Sequence, residues 1–168
     1  EFVTLAKSKP GEIAYASSGV GAGPHLTTSL FMAVTGIKLE HVPYRGDADA
    51  LIDLVAGRVP SAFLSVAPAV PHIRAGALRA LAVSGSERLA LMPDVPTVAE
   101  SGYPGFSMDA WWSIAGPAGL PPEVVNRIVV AVKPILESPA LAERFSSAGV
   151  VPAKPMSAAD FAVMVKSE

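Results

Sequence analysis

A chain of 168 residues with 51% hydrophobic side chains can build one full domain or two small lobes around a real core. Thirteen Lys and Arg against fifteen Asp and Glu leave a formal charge of −2 with no basic cluster, which argues against a nucleic-acid partner. The absence of cysteine excludes disulfides and thiolate metal sites, and the longest apolar runs, such as 128–132, fall far short of the roughly 20 residues that cross a bilayer.

The first clear element, 13–16, reads as a strand that breaks into Ser17-Ser18-Gly19-Val20-Gly21-Ala22-Gly23-Pro24, after which 25–34 reads as an amphipathic helix. Residues 38–42 alternate as a strand, 48–56 form a helix ended by Gly57, and 61–65 read as a buried strand. A helix over 70–75 stops at Gly76, and Leu-Arg-Ala-Leu-Ala-Val-Ser at 78–84 reads as a further strand. This β-α-β-α-β-α-β order predicts a mainly parallel sheet, with ligands bound outside the carboxyl ends of its strands. A proline-punctuated stretch at 92–104 marks a lobe boundary. Beyond it, 106–114 reads as an aromatic strand with Trp111 and Trp112 in a core, followed by helices at 121–137, 141–148 and 157–166, with Pro134 kinking or ending the first. One strand and three helices cannot close a core, so this second lobe is expected to be incomplete.

The turn after the first strand suits an anion. Ser17, Ser18, Gly19, Gly21 and Gly23 can turn backbone N–H groups toward one point, and the following helix adds unpaired donors and its positive dipole end. The dinucleotide pattern fails because Pro24 stands where the third glycine belongs, and no lysine follows before Lys38 as a P-loop would need. A carboxylate is the better fit, with an ordinary strand-to-helix connection as the plain alternative. His25, His41 and His72 have no metal-ligand spacing, so neither a metal nor a cofactor is expected. Ala16-Ser17-Ser18-Gly19 is not the nucleophile elbow of a serine hydrolase, which makes catalysis the weaker class.

The motifs Gly11-Glu12-Ile13-Ala14-Tyr15-Ala16-Ser17-Ser18-Gly19, Pro24-His25-Leu26, His41-Val42-Pro43-Tyr44-Arg45-Gly46, Pro71-His72-Ile73-Arg74-Ala75-Gly76 and Pro93-Asp94-Val95-Pro96-Thr97 occur in that order. Together they resemble the Bug family, periplasmic solute receptors of tripartite tricarboxylate transporters. The resemblance implies an α/β, periplasmic-binding-protein-like Venus flytrap with one complete parallel-sheet lobe and an incomplete second one. Residues 1–12 would then end the first lobe and its crossover, 13–104 form the second lobe, and 105–168 return to the first, whose N-terminal part lies outside this sequence. It further implies a non-catalytic receptor that captures a small organic acid, a dicarboxylate or an aromatic carboxylate, for membrane permease subunits. A periplasmic sensor is the alternative. No leader is visible, and a start at Glu1 is expected of a processed or partial chain.

Carried over by position, Ser17, Ser18, Gly19 and Gly21 form half of a carboxylate clamp, and His25 adds a donor or packs within the lobe. Tyr44, Arg45 and Gly46 match the family's Tyr-Lys-Gly turn, with the Arg45 fork able to pair with a carboxylate or simply to lie solvated near Asp47 or Asp49. Ser65 remains as a polar group at the third strand's end. Pro60 and Leu64 stand where relatives carry aspartates, which disfavours an amino-acid ligand.

Overall fold

The computed structural model describes residues 1–150 and 156–167, which divide into two compact units, Glu1–Ile114 and Ala115–Glu168. Within the first unit the chain forms α1 (Phe2–Ser8), β1 (Ala14–Ser17), α2 (Gly23–Thr35), β2 (Glu40–Pro43), α3 (Asp47–Val55), β3 (Ser61–Ala62) and α4 (Val66–Arg74). The strands make a parallel sheet in the order β2-β1-β3, with Tyr15 opposite His41 and Ser61, and Ala16 opposite Val42 and Ala62.

Side-chain alternation along β1 gives the sheet two working faces. Ile13 joins a core of Ala6, Phe31, Ile37, Val98 and Phe106, so α1 and α2 cover the face that Tyr15 and Ser17 share. Ala16 on the other face packs with Ala50 and Val59, which seats α3 there. Phe31 anchors α2 by edge contacts to Phe63, Tyr103 and Phe106 with ring centroids 5.7, 6.2 and 6.1 Å away. Such aromatic pairs add about 0.5–1.5 kcal/mol each beyond their buried area. The first crossover runs from β1 outward to β2 and the second returns across β1 to β3, so the direction of winding reverses between β1 and β3. In parallel sheets such a reversal opens a crevice at the strands' carboxyl ends, the ends from which the loops at 18–22 and 63–65 leave β1 and β3.

Three sequence expectations need correction. The strand expected over 61–65 pairs only at Ser61 and Ala62, and α4 begins at Val66, because Pro68 is tolerated within a first helical turn whose amides need no partner. Residues 78–84 form no strand; only Val83 bridges, to Thr97, and a cleft of 1040 Å³ runs between 60–64 and 77–82. Without a neighbouring edge at bonding distance the apolar run has no ladder to join. The stretch 106–114 is likewise irregular: Phe106 is buried, but Trp111 and Trp112 are exposed rather than core.

The second unit holds α5 (Pro122–Leu136), α6 (Pro139–Ser147) and α7 (Ala158–Ser167). Helix α5 runs two residues past Pro134 and ends at Leu136. Its apolar positions 124, 125, 128, 129, 132, 135 and 136 follow the stripe of a core-facing helix. Yet α5 and α6 bury no residue among those described.

Candidate functional site

The site starts from a helix that caps poorly. Helix α2 has Ala22 at its N-cap, no side chain bonding its first amides and no acidic residue in its first turn. Leu26 N–H to the Ala22 carbonyl, 3.0 Å, is the first helical bond. Four-residue periodicity leaves the earlier donors orphaned, and Pro24 removes one of them. The amides of Gly23 and His25 therefore stand without a partner among the described residues, at the positive end of a 13-residue helix. Helix α3 differs, since Asp47 and Asp49 already place negative charge in its first turn.

The preceding turn contributes two more. Ser18 and Val20 make no hydrogen bond through their amides among the described residues. Gly19 and Gly21 were expected to donate outward, but both point inward: Gly19 N–H donates to Ser17 Oγ at 3.2 Å and Gly21 N–H to His25 Nδ1 at 3.0 Å. Their contribution is conformational. Gly19 at φ 131° and Gly21 at φ 79° occupy backbone regions that side-chain-bearing residues rarely enter, which lets the turn form the internal bonds that leave the Ser18 and Val20 amides out.

Below the turn lies a cluster that sequence reasoning missed. His41, in register with Tyr15 on β2, places Nε2 2.6 Å from Ser17 Oγ. Its ring stacks on Tyr15 at 4.8 Å and on His25 at 4.4 Å. Burial, and then the neighbouring His25, hold the His41 pKa below its usual value, so the ring is neutral near pH 7. Tyr15 is itself buried, which raises its pKa against the opposing effect of its bond to Ser29. The signal existed in the sequence as period-2 alternation across 38–42, which puts His41 on one face of β2, but only the strand pairing brings that face beneath Ser17.

Ser17 and His41 have the contact distance of a nucleophile and its base. Ser17 is fully buried, however, and no carboxylate pairs with His41 among the described residues. No triad is assembled. Among the described residues there is also no cluster of His, Asp and Glu that would hold a metal ion.

The other candidates separate. Tyr44 donates its hydroxyl to Asp53 Oδ2 at 2.7 Å, and Arg58 Nε reaches Asp53 Oδ1 at 2.8 Å, so the Tyr44 side chain braces α3. The bond to Asp53 raises the Tyr44 pKa, and the bond from Arg58, followed by that from Tyr44, lowers the Asp53 pKa. Arg45 is exposed and makes no ion pair among the described residues, neither with Asp47 nor with Asp49. Gly46 is the N-cap of α3 in an extended conformation. Ser65, exposed at the N-cap of α4, leaves its hydroxyl unbonded while its amide donates to Asp47 Oδ2 at 3.3 Å. Asp47, a second residue missed from sequence, thus ties the loops after β2 and β3, and its buried Oδ1 has no partner among the described residues.

All 168 residues match the model of the tripartite tricarboxylate transporter family receptors. The chain belongs to that family. BugT of Bordetella pertussis is 36% identical over 151 residues, which are 90% of this chain and 46% of BugT. Two solved structures superpose with a TM-score of 0.88 over 99% of the chain: R. palustris Rpa4515 with adipate, 32% identical, and MatC (Rpa3494) from Rhodopseudomonas palustris with bound malate, 28% identical. The chain spans 55% and 57% of those two receptors, about half the length of its relatives. Its fold is therefore the α/β, periplasmic-binding-protein-like fold of these receptors in part, and the family is one of solute receptors rather than enzymes.

Proposed function

We propose that this chain supplies the carboxylate-gripping turn of an extracytoplasmic receptor that captures a small organic acid for the permease subunits of a tripartite tricarboxylate transporter. The observation that carries the reading is the set of four unengaged amides, Ser18, Val20, Gly23 and His25, at the uncapped N-terminus of α2 beside the crevice where the sheet reverses. Backbone donors aimed at an anion bind it without acting on it chemically. Arg45 and the Ser65 hydroxyl, on the neighbouring loops, supply a second point of contact for a diacid. Leu64 packs partly buried against Ala16, Ala50 and Val59, so no carboxylate stands there for a ligand ammonium, which favours a plain dicarboxylate or an aromatic acid. Adipate and malate in the two related receptors are acids of this kind. Residues 13–104 then form the second lobe and 105–168 the return to the first, with the working location periplasmic.

The test is thermal denaturation with adipate, malate and benzoate. A ligand bound only by the folded state at ten times its Kd adds about 1.4 kcal/mol, enough to raise Tm by a few degrees. A rise with at least one acid and none with the matching amide supports the proposal. No rise with any acid at any concentration up to about a hundred times a micromolar Kd, where some 2.7 kcal/mol is expected, contradicts it.

A further inference from the structure

We propose that His25 and His41 are positioning residues that hold the turn at 18–22 in its anion-accepting shape only while both rings are neutral, so that acid releases the ligand. The inference rests on the carboxylate reading above and goes beyond it by making the grip sensitive to protons.

A turn with glycines at 19, 21 and 23 has many backbone conformations open to it, and its ordering must be enforced from outside. Four hydrogen bonds do so: Gly19 N–H to Ser17 Oγ, Gly21 N–H to His25 Nδ1, Ala22 N–H to the Gly19 carbonyl at 3.3 Å, and the Ser17 hydroxyl to that same carbonyl at 3.3 Å. The second ends on the His25 imidazole, and the first on Ser17 Oγ, which His41 Nε2 contacts at 2.6 Å. Tyr15, His41 and His25 form one column of nearly parallel rings, with interplanar angles of 15° and 17°, that joins the sheet to the first turn of α2.

The bond at Gly21 fixes the tautomer. Nδ1 of His25 accepts, so its proton sits on Nε2. A second proton would put an N–H at Nδ1 facing the Gly21 N–H, donor against donor, and the bond would break. His41 is faced by Tyr15 and Ser17 from β1 and by His25 from α2; His25 is faced by His41 and by the Gly21 amide. No carboxylate pairs with either ring among the described residues, so nothing offsets a charge on the column, and two imidazolium rings 4.4 Å apart repel. A positive His25 would by itself attract a carboxylate, which predicts the opposite pH dependence; the sign of the measured effect separates the two.

His25→Asn is the informative variant, since its side-chain oxygen can accept from Gly21 N–H but does not titrate, and His25→Ala is its control. Adipate affinity, counted per dianion because the diacid is itself partly protonated in acid, is measured at about pH 7.5 and about pH 5.5, on either side of the ordinary imidazole value. The wild type is expected to lose about tenfold on acidification, the equivalent of one pK unit of linkage. His25→Ala should bind weakly at both values, and His25→Asn should recover affinity and lose the pH dependence. Hydrogen-exchange protection of the Gly21 amide, corrected for intrinsic rates, should follow the same pattern without ligand. Tighter binding in acid, or Gly21 protection unchanged in His25→Ala, overturns the inference. Should the wild type bind no acid at any pH, the carboxylate reading fails, and the Gly21 exchange pattern alone decides this inference.

Discussion

Replacing Ser17 by Ala removes one oxygen and leaves two groups without a partner. Ser17 Oγ is the contact of His41 Nε2 at 2.6 Å and of the Gly19 amide at 3.2 Å, in a residue that is 0% exposed. A buried polar group left unpaired costs about 1–3 kcal/mol, and Gly19, being only half-buried, falls at the low end. Together the two losses come to about 2–4 kcal/mol. In a chain of this size that corresponds to a fall in Tm of roughly 5–15 °C. Urea denaturation followed by circular dichroism gives the free energy directly, and the second unit contributes the same signal to both proteins. A loss below about 0.5 kcal/mol, the scale of an ordinary surface substitution, would refute the reasoning, since it would mean that Ser17 holds neither the ring nor the turn.

Folding stability should fall as the pH drops below about 6.5, because the depressed pKa of His41 lets the unfolded chain take up a proton that the native state resists; the slope is at most about 1.4 kcal/mol per pH unit for this one group. His41→Gln should flatten that slope in a pH series of denaturation curves. Tyr44→Phe should cost about 0.5–1.5 kcal/mol through the lost bond to Asp53 while leaving adipate affinity intact, and weaker adipate binding would return Tyr44 to the site. Arg45→Ala should leave Tm within a degree or two and weaken diacids more than monoacids, as read by calorimetric titration. Gly19→Val places a β-branched residue at φ 131°, where strain of about 1–3 kcal/mol refolds the turn and removes acid-induced thermal stabilisation.

The alternation of strand and helix from residue 13 to residue 74 was legible because each element carried its own period and its own glycine or proline stop. The place of the turn proposed to hold the anion was legible for the same reason: a Ser/Gly turn between a strand and a helix has one position in a parallel sheet. Which amides remain available was not. Gly19 and Gly21 look like the donors in one dimension, yet their bonds end on Ser17 and His25, and the ring that fixes Ser17 comes from 24 residues further along. Long-range competition of this kind leaves no local trace. Two roles are open to His25 in the sequence, a donor or a residue packed within the lobe, and its Nδ1 accepts from Gly21 N–H, because a tautomer depends on the partner and not on the residue. The run at 78–84 and the tryptophans at 111 and 112 failed as strand and core for one reason: both readings assumed neighbouring strands that the described residues do not provide.

The central claim is that four particular amides hold the carboxylate, and two-dimensional ¹H–¹⁵N spectra of the chain titrated with adipate test it residue by residue. Ser18, Val20, Gly23 and His25 should move downfield with one common dissociation constant, while Gly19 and Gly21, bonded within the protein, move least. Shifts that centre on Gly19 and Gly21, or on no residue of the turn, would contradict the account.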